Sequence, residues 1–142
     1  MSAKKNTCRK PAGILLTVLF AFSLLGMGSL NEDAIKSIPE PDDNFSAKII
    51  DQLDTSFDIT HFSLDGKTFL SGKRGEGMVS IPFANINCLD FIKKGNNLFA
   101  SIIMKNGEKI ELKMNNHAII YGKLSYGYFS IRIDEVKKIA IN

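Results

Sequence analysis

The chain has 142 residues, 44% of them apolar, with 18 basic and 15 acidic side chains. That length suits one ordinary domain or two very small ones, and the apolar share excludes a chain that is disordered throughout. The formal charge of +3 misleads, because it comes from Lys4, Lys5, Arg9 and Lys10 ahead of residue 28.

From the N-terminus, "KKNTCRK" is followed by an uncharged run from Ala12 to Leu30. A positive segment and then an apolar one is the layout of a secretory signal. The best cleavage pattern is Gly26-Met27-Gly28, before Ser29. The run is also 19 residues long, enough for a helix to span a bilayer as a retained anchor. Residues 1–28 are therefore expected to be a signal peptide or an N-terminal anchor, forming an apolar helix. Either way the body is exported, periplasmic or extracellular, or held at the inner membrane by residues 12–30. Cys8 precedes the run and no Cys follows it closely, so lipid attachment is not expected. Only Cys88 remains downstream, so no bridge can form within that part. Cys88 reads as a small semi-buried residue at a strand edge, with pairing to another chain or thiol reactivity as the alternatives.

Residues 29–44 are acidic and hold Pro39 and Pro41, which remove backbone donors and favour extended chain. They read as a linker. Residues 29–58 carry 8 acids and 2 bases, and 59–142 carry 7 acids and 12 bases. The split is that of solvated surface, with a polyanion-binding face as the alternative.

From Phe45 the pattern is that of a folded body, and it repeats. Gly72–Phe91, "GKRGEGMVSIPFANINCLDF", overlays Gly122–Ile141, "GKLSYGYFSIRIDEVKKIAI", at an offset of 50 without a gap. Five of 20 positions are identical, among them Gly72/Gly122, Lys73/Lys123 and Ser80/Ser130, and five more exchange one apolar residue for another. "FSAKII" at Phe45 resembles "FASIIM" at Phe99. Two tandem units follow, about 45–92 and 98–142. Strands are predicted at about 98–104, 108–114, 117–121, 127–133 and 136–141, by their period-two alternation. "KNGE" and "LDGK" are Asn-Gly and Asp-Gly turns, whose central residues accept positive φ. Pro82 lacks a donor, which places its strand at an edge or turns its proline to solvent. "DNFSAKIIDQL" also carries a helical spacing, with Phe45, Ile49 and Leu53 four apart, but the repeat favours a strand over 45–50. The fold class expected is all-β, two tandem antiparallel units of ~45 residues forming a sandwich or small barrel. Strand 136–141 is expected at an edge, guarded by Lys137 and Lys138.

The chemistry-bearing residues point away from catalysis. "GKRGEG" lacks the Lys-Ser/Thr of a phosphate-binding loop and has no third glycine for a dinucleotide. It reads as a tight connection between strands. His61 and His117 show no metal-ligand spacing with Cys88, and no Gly-x-Ser-x-Gly elbow is present. No catalytic, cofactor or metal residues are therefore assigned, and the chain is expected not to be an enzyme. All three tyrosines lie together in "YGKLSYGY", so Tyr121, Lys123, Tyr126 and Tyr128 are the candidate contact surface. Aromatics beside Lys can stack on ligands; cross-strand packing is the plainer reading. Export argues against nucleic acid. The partner expected is a protein or envelope component, bound through that face or through an unpaired edge strand. An envelope hydrolase using His61 or His117, and a polyanion or membrane-surface binder, are the alternatives.

The unit "G-x-x-x-I-x-[IF]-x-x-[IV]-x-x-[IL]" after a strand, turn and strand resembles small exported bacterial β proteins of no assigned activity. It covers about half of the chain after the apolar run. The resemblance implies β-rich folding and an envelope setting, and it carries over no catalytic residues.

Overall fold

The structure, a computed structural model, describes residues 41–142. The expected signal or anchor at 1–28, and most of the linker, lie outside the described residues. Ten strands follow one another: β1 (Ala47–Asp51), β2 (Ser56–Leu64), β3 (Phe69–Arg74), β4 (Gly77–Pro82), β5 (Ile86–Lys94), β6 (Asn97–Met104), β7 (Lys109–Met114), β8 (Ile119–Leu124), β9 (Gly127–Arg132) and β10 (Val136–Ile141). One-turn 3-10 helices, Phe83–Asn85 and Ile133–Glu135, precede β5 and β10. The described residues are thus all-β, as expected. Residues 45–50 lie in and beside strand β1, which resolves the helix-or-strand competition there. Alternation wins because Ala47 and Ile49 both face the core.

Where a sandwich or small barrel was expected, the strands form a single curled sheet. All ten strands join one antiparallel sheet, curled into a half-barrel, in the order β4-β3-β7-β6-β5-β10-β1-β2-β8-β9. The reason lies in two connections. Hairpin β3–β4 does not return to β2 but pairs with β7, through Lys73↔Lys113. Hairpin β8–β9 does not return to β7 but pairs with β2, through Ser63↔Tyr121 and Leu64↔Ile120. The order reads the same from either end when each strand is exchanged for the one five places away. One half-sheet, β4-β3-β7-β6-β5, is a continuous stretch of chain. The other, β10-β1-β2-β8-β9, brings the two ends of the body together, with Ala47 opposite Ile141. Each half-sheet therefore draws strands from both expected repeats.

The C-terminal strand is a correction. β10 is not an edge but lies between β5 and β1, pairing Ile139 with Leu89 and with Ile49. Its apolar face, Val136, Ile139 and Ile141, is buried. Lys137 reaches Asp54 at 2.7 Å, on the same half of the sheet, rather than guarding an edge. The true edges are β4 and β9. Pro82 on β4 is exposed and edge-located, as its missing donor demands.

The inner face of the sheet forms the core, with Ile49, Ile59, Leu89, Leu98, Ile102, Leu112, Ile120 and Ile139 fully buried. Aromatics tie the two halves together. Phe83, from the 3-10 turn before β5, stacks on Phe62 of β2 with centroids 4.5 Å apart. Phe45 meets the same ring edge-on at 5.8 Å. Backbone donors on both 3-10 turns are matched in the same way. Phe83 donates to the Thr68 carbonyl and Ile133 to that of Ala118, at 3.0 and 2.9 Å.

Gly72 and Gly122, which correspond at the offset of 50, sit where β3 meets β7 and β8 meets β2. A Cβ on Gly72 would stand 2.9 Å from both Leu112 Cβ and the Lys113 carbonyl oxygen. One on Gly122 would stand 2.6 Å from Ile59 Cδ1 and 3.1 Å from the Thr60 carbonyl oxygen. Side chains are excluded at both because a strand backbone lies against them. The two sites differ in how they can yield. At Gly122 the closest atom ends a rotatable side chain, whereas at Gly72 it is backbone and a Cβ. Overpacking of this kind costs about 1–3 kcal/mol. Gly72→Ala is expected near the top of that range and Gly122→Ala near the bottom, measured as urea midpoints at unchanged slope.

Candidate functional site

The tyrosine hairpin forms because β8 and β9 alternate in phase. Ile120 and Phe129 point inward, and Phe129 meets Phe57 of β2 with centroids 4.8 Å apart. The opposite face then carries Tyr121, Lys123, Tyr128 and Ser130, in cross-strand pairs Tyr121↔Ser130 and Lys123↔Tyr128. Lys123 Nζ lies 5.8 Å from the centre of the Tyr128 ring, within range of a cation–π attraction. Tyr126 projects from the turn and is 81% exposed, and Tyr128 is 54% exposed. Tyr121 is half-buried, one strand inward, opposite Ser63. The four predicted residues are brought together on one hairpin at the open end of the sheet, with two of them strongly exposed.

Beside the hairpin, Arg132 and Asp134 form a two-pronged ion pair. Arg132 Nε donates to Asp134 Oδ1 at 3.0 Å and Nη2 donates to Oδ2. Such planar pairing is geometrically specific. The Arg132 hydrogen bond holds the Asp134 carboxyl below the usual carboxylate range, against partial desolvation and with help from the Arg132 and Lys93 charges. The Arg132 guanidinium is raised by the same partner.

The two histidines do not sit with a common set of polar partners. His61 occupies an irregularity in β2 with φ of 51°, and its backbone N–H donates to Asn44 Oδ1 at 2.9 Å. His117 lies in the β7–β8 connection, its N–H donating to Asn115 Oδ1 at 3.0 Å. The His61 ring Nδ1 also lies 3.3 Å from Thr60 Oγ1. Among the described residues, no three His, Cys, Asp or Glu side chains are grouped to hold a metal ion. The serines that recur at offset 50 have different partners. Ser80 shares a 2.8 Å hydrogen bond with Ser71 across β3–β4, whereas Ser130 faces Tyr121. Cys88 departs from its expected semi-buried edge position. It is fully buried in β5, an interior strand between β6 and β10.

"GKRGEG" is the tight strand connection expected of it, with Arg74 paired to Gly77 and Gly75 at φ 61°. The fold adds what the sequence did not show. The turn borders a cleft of about 370 Å³ lined by Lys73, Arg74, Glu76, Glu111, Lys113 and Phe99. Lys113 and Phe99 went unnoticed because they come from other strands. The available signal was the outward alternation Lys109, Glu111, Lys113 along β7.

A family model described as "Uncharacterised protein" matches residues 41–142. The chain belongs to that family. The match covers the whole ten-stranded body and starts where the described structure starts. No curated protein and no solved structure matches the chain. Among the described residues, no helix is long and apolar enough to cross a membrane.

The Asp134 pair sets a pH dependence. A carboxyl depressed in the folded state stabilises that state above its ordinary value, near 3.9, and the contribution is lost as pH falls through the depressed value. Asp134→Asn is expected to flatten the fall in stability below about pH 4, and to leave its shape above pH 5 unchanged. Denaturant titrations between pH 2 and 7 check this.

Proposed function

We propose that this protein is a non-catalytic binding or structural module of the cell envelope, with the β8–β9 hairpin as its contact surface. In this reading residues 1–28 direct export, or residues 12–30 hold the chain at the inner membrane, and 29–44 tether the body. The observation that carries the contact surface is the gathering of Tyr121, Tyr126 and Tyr128 on one terminal hairpin, with Lys123 beside Tyr128. Aromatic side chains supply large contact area at low entropic cost, and tyrosines keep a polar tip for hydrogen bonding. The hairpin's outer strand, β9, has no neighbour on its far side among the described residues. An extended segment of a partner protein can add there as an eleventh strand while its side chains meet the tyrosines.

The same reading treats the body as a duplicated unit of five strands. Support comes from the offset-50 identities, the end-to-end symmetry of the strand order and the matched settings of Gly72 and Gly122. Each unit then gives its second hairpin to the other's sheet.

Two measurements test the proposal. Partner recovery from native envelopes, with a tag at Asn142, is expected to fall at least tenfold for Tyr126→Ala/Tyr128→Ala and to persist for Met78→Ala on the mirror hairpin. Equal recovery by all three proteins would sink the contact surface. N-terminal sequencing of the envelope-derived protein is expected to read from Ser29 if the signal is cleaved, whereas a start at residue 1 or 2 supports the anchor.

A further inference from the structure

The outer face of the first half-sheet carries a row of side chains across five strands: Met78, Lys73, Lys113, Phe99 and Ile92, each register partner of the next. Two lysines therefore stand directly opposite one another. Like charges in that position destabilise an antiparallel pair. Among the described residues, no acid forms an ion pair with Lys73, Arg74 or Lys113. Glu111 lies in the same cleft, but Lys94 engages it at 3.7 Å while resting 4.8 Å from the Phe99 ring centre. Glu76 also borders the cleft, from the turn.

The other half-sheet shows that the backbone does not need this arrangement. There Lys123, the counterpart of Lys73, faces Thr60. The charge also divides unevenly. Phe69–Met114 holds 7 basic and 4 acidic residues, whereas 47–64 and 119–141 together hold 5 of each. In the same outer row as Lys73 and Lys113, Met78 is 68% exposed and Ile92 43%, and Phe69, four residues along β3 from Lys73, is 36% exposed. Three cations in one cleft, none of them ion-paired among the described residues and only two acids beside them, next to exposed apolar side chains, match a ligand that is anionic at its head and apolar behind it.

We propose that the cleft between the β3–β4 turn and strands β7 and β6 binds the phosphate of an anionic phospholipid headgroup. Lys73, Arg74 and Lys113 supply the charge. Phe99 floors the cleft, and Met78, Phe69 and Ile92 meet the lipid surface. This site is separate from the tyrosine hairpin and does not depend on it.

Vesicle sedimentation of the full chain tests the proposal. The apolar run at 12–30 is expected to bind any bilayer, so the readout is the ratio of affinity for phosphatidylglycerol vesicles over phosphatidylcholine vesicles. Wild type is expected to favour phosphatidylglycerol, with a preference that shrinks as salt rises. Lys73→Gln/Lys113→Thr is expected to cut phosphatidylglycerol affinity about tenfold or more, leaving phosphatidylcholine unchanged. The charge-matched control Lys48→Gln/Lys137→Gln is expected to keep most of the preference. Lys113→Thr installs the residue that the other half-sheet already uses, so its melting temperature is expected at or above that of wild type. A wild-type ratio near one overturns the proposal without reference to any variant. So does an equal loss in the control pair, which would reduce the effect to net charge. Saturable binding of inorganic phosphate at the cleft, with a vesicle ratio of one, would reassign the site to a free anion and overturn the lipid surface.

Discussion

Two close approaches between backbones hold the exchanged hairpins in place, and the rest of the architecture depends on them. Gly72 lies against β7 and Gly122 against β2, with no room for a side chain at either. These contacts let β3 pair with β7 and β8 with β2, strands far from them in sequence. The result is one sheet in which eight of the ten described strands are paired on both sides. Interior strands satisfy both sets of backbone donors and acceptors, the obligatory demand of any buried chain. Closure of the body then rests on β10, which joins the halves through three register pairs to β5 and a longer ladder to β1. Both of the β10 pairings are distant in sequence, so their loop-closure cost must be met before they contribute. The aromatic contact of Phe62 with Phe83 supplies apolar burial across the same junction.

The all-β class, the turns at Asp65-Gly66 and Asn106-Gly107, and the edge position of Pro82 were legible because each follows from local chemistry. Asp65 and Gly66 take φ of 51° and 81°, as an Asp-Gly turn requires. After Phe83 and Ile133 a one-turn 3-10 helix leads into β5 or β10. Alternation also placed Phe129 inside and Tyr128 outside. What was not legible is which strands become neighbours. Alternation says that one face of a strand is buried, but it does not say against whom its backbone pairs. β10 looked like an edge because its two lysines resemble edge protection, yet Lys138 stands opposite Asp90 and Ile50 in the middle of the sheet. The basic cleft was hidden for the same reason: Lys73 and Lys113 are 40 residues apart, and only the exchange of hairpins brings them face to face.

The two ends of the sheet share a backbone plan and present different chemistry. β4 ends in Pro82, which removes a donor from the exposed edge, whereas the corresponding residue of β9 is Arg132, which keeps it. The outer row at one end reads Met78, Lys73, Lys113; at the other it reads Tyr128, Lys123, Thr60. The inward positions are conservative by comparison, pairing Val79 with Phe129 and Ile81 with Ile131. Packing constrains the inner face of both ends in the same way, because volume changes in a core are costly. The outer face is held by exposed contacts, such as Ser71 with Ser80 and Lys94 with Phe99, and is freer to differ between the two ends. In the proposed reading, the blunted, basic end meets a broad anionic surface and the open, tyrosine-bearing end a single extended chain.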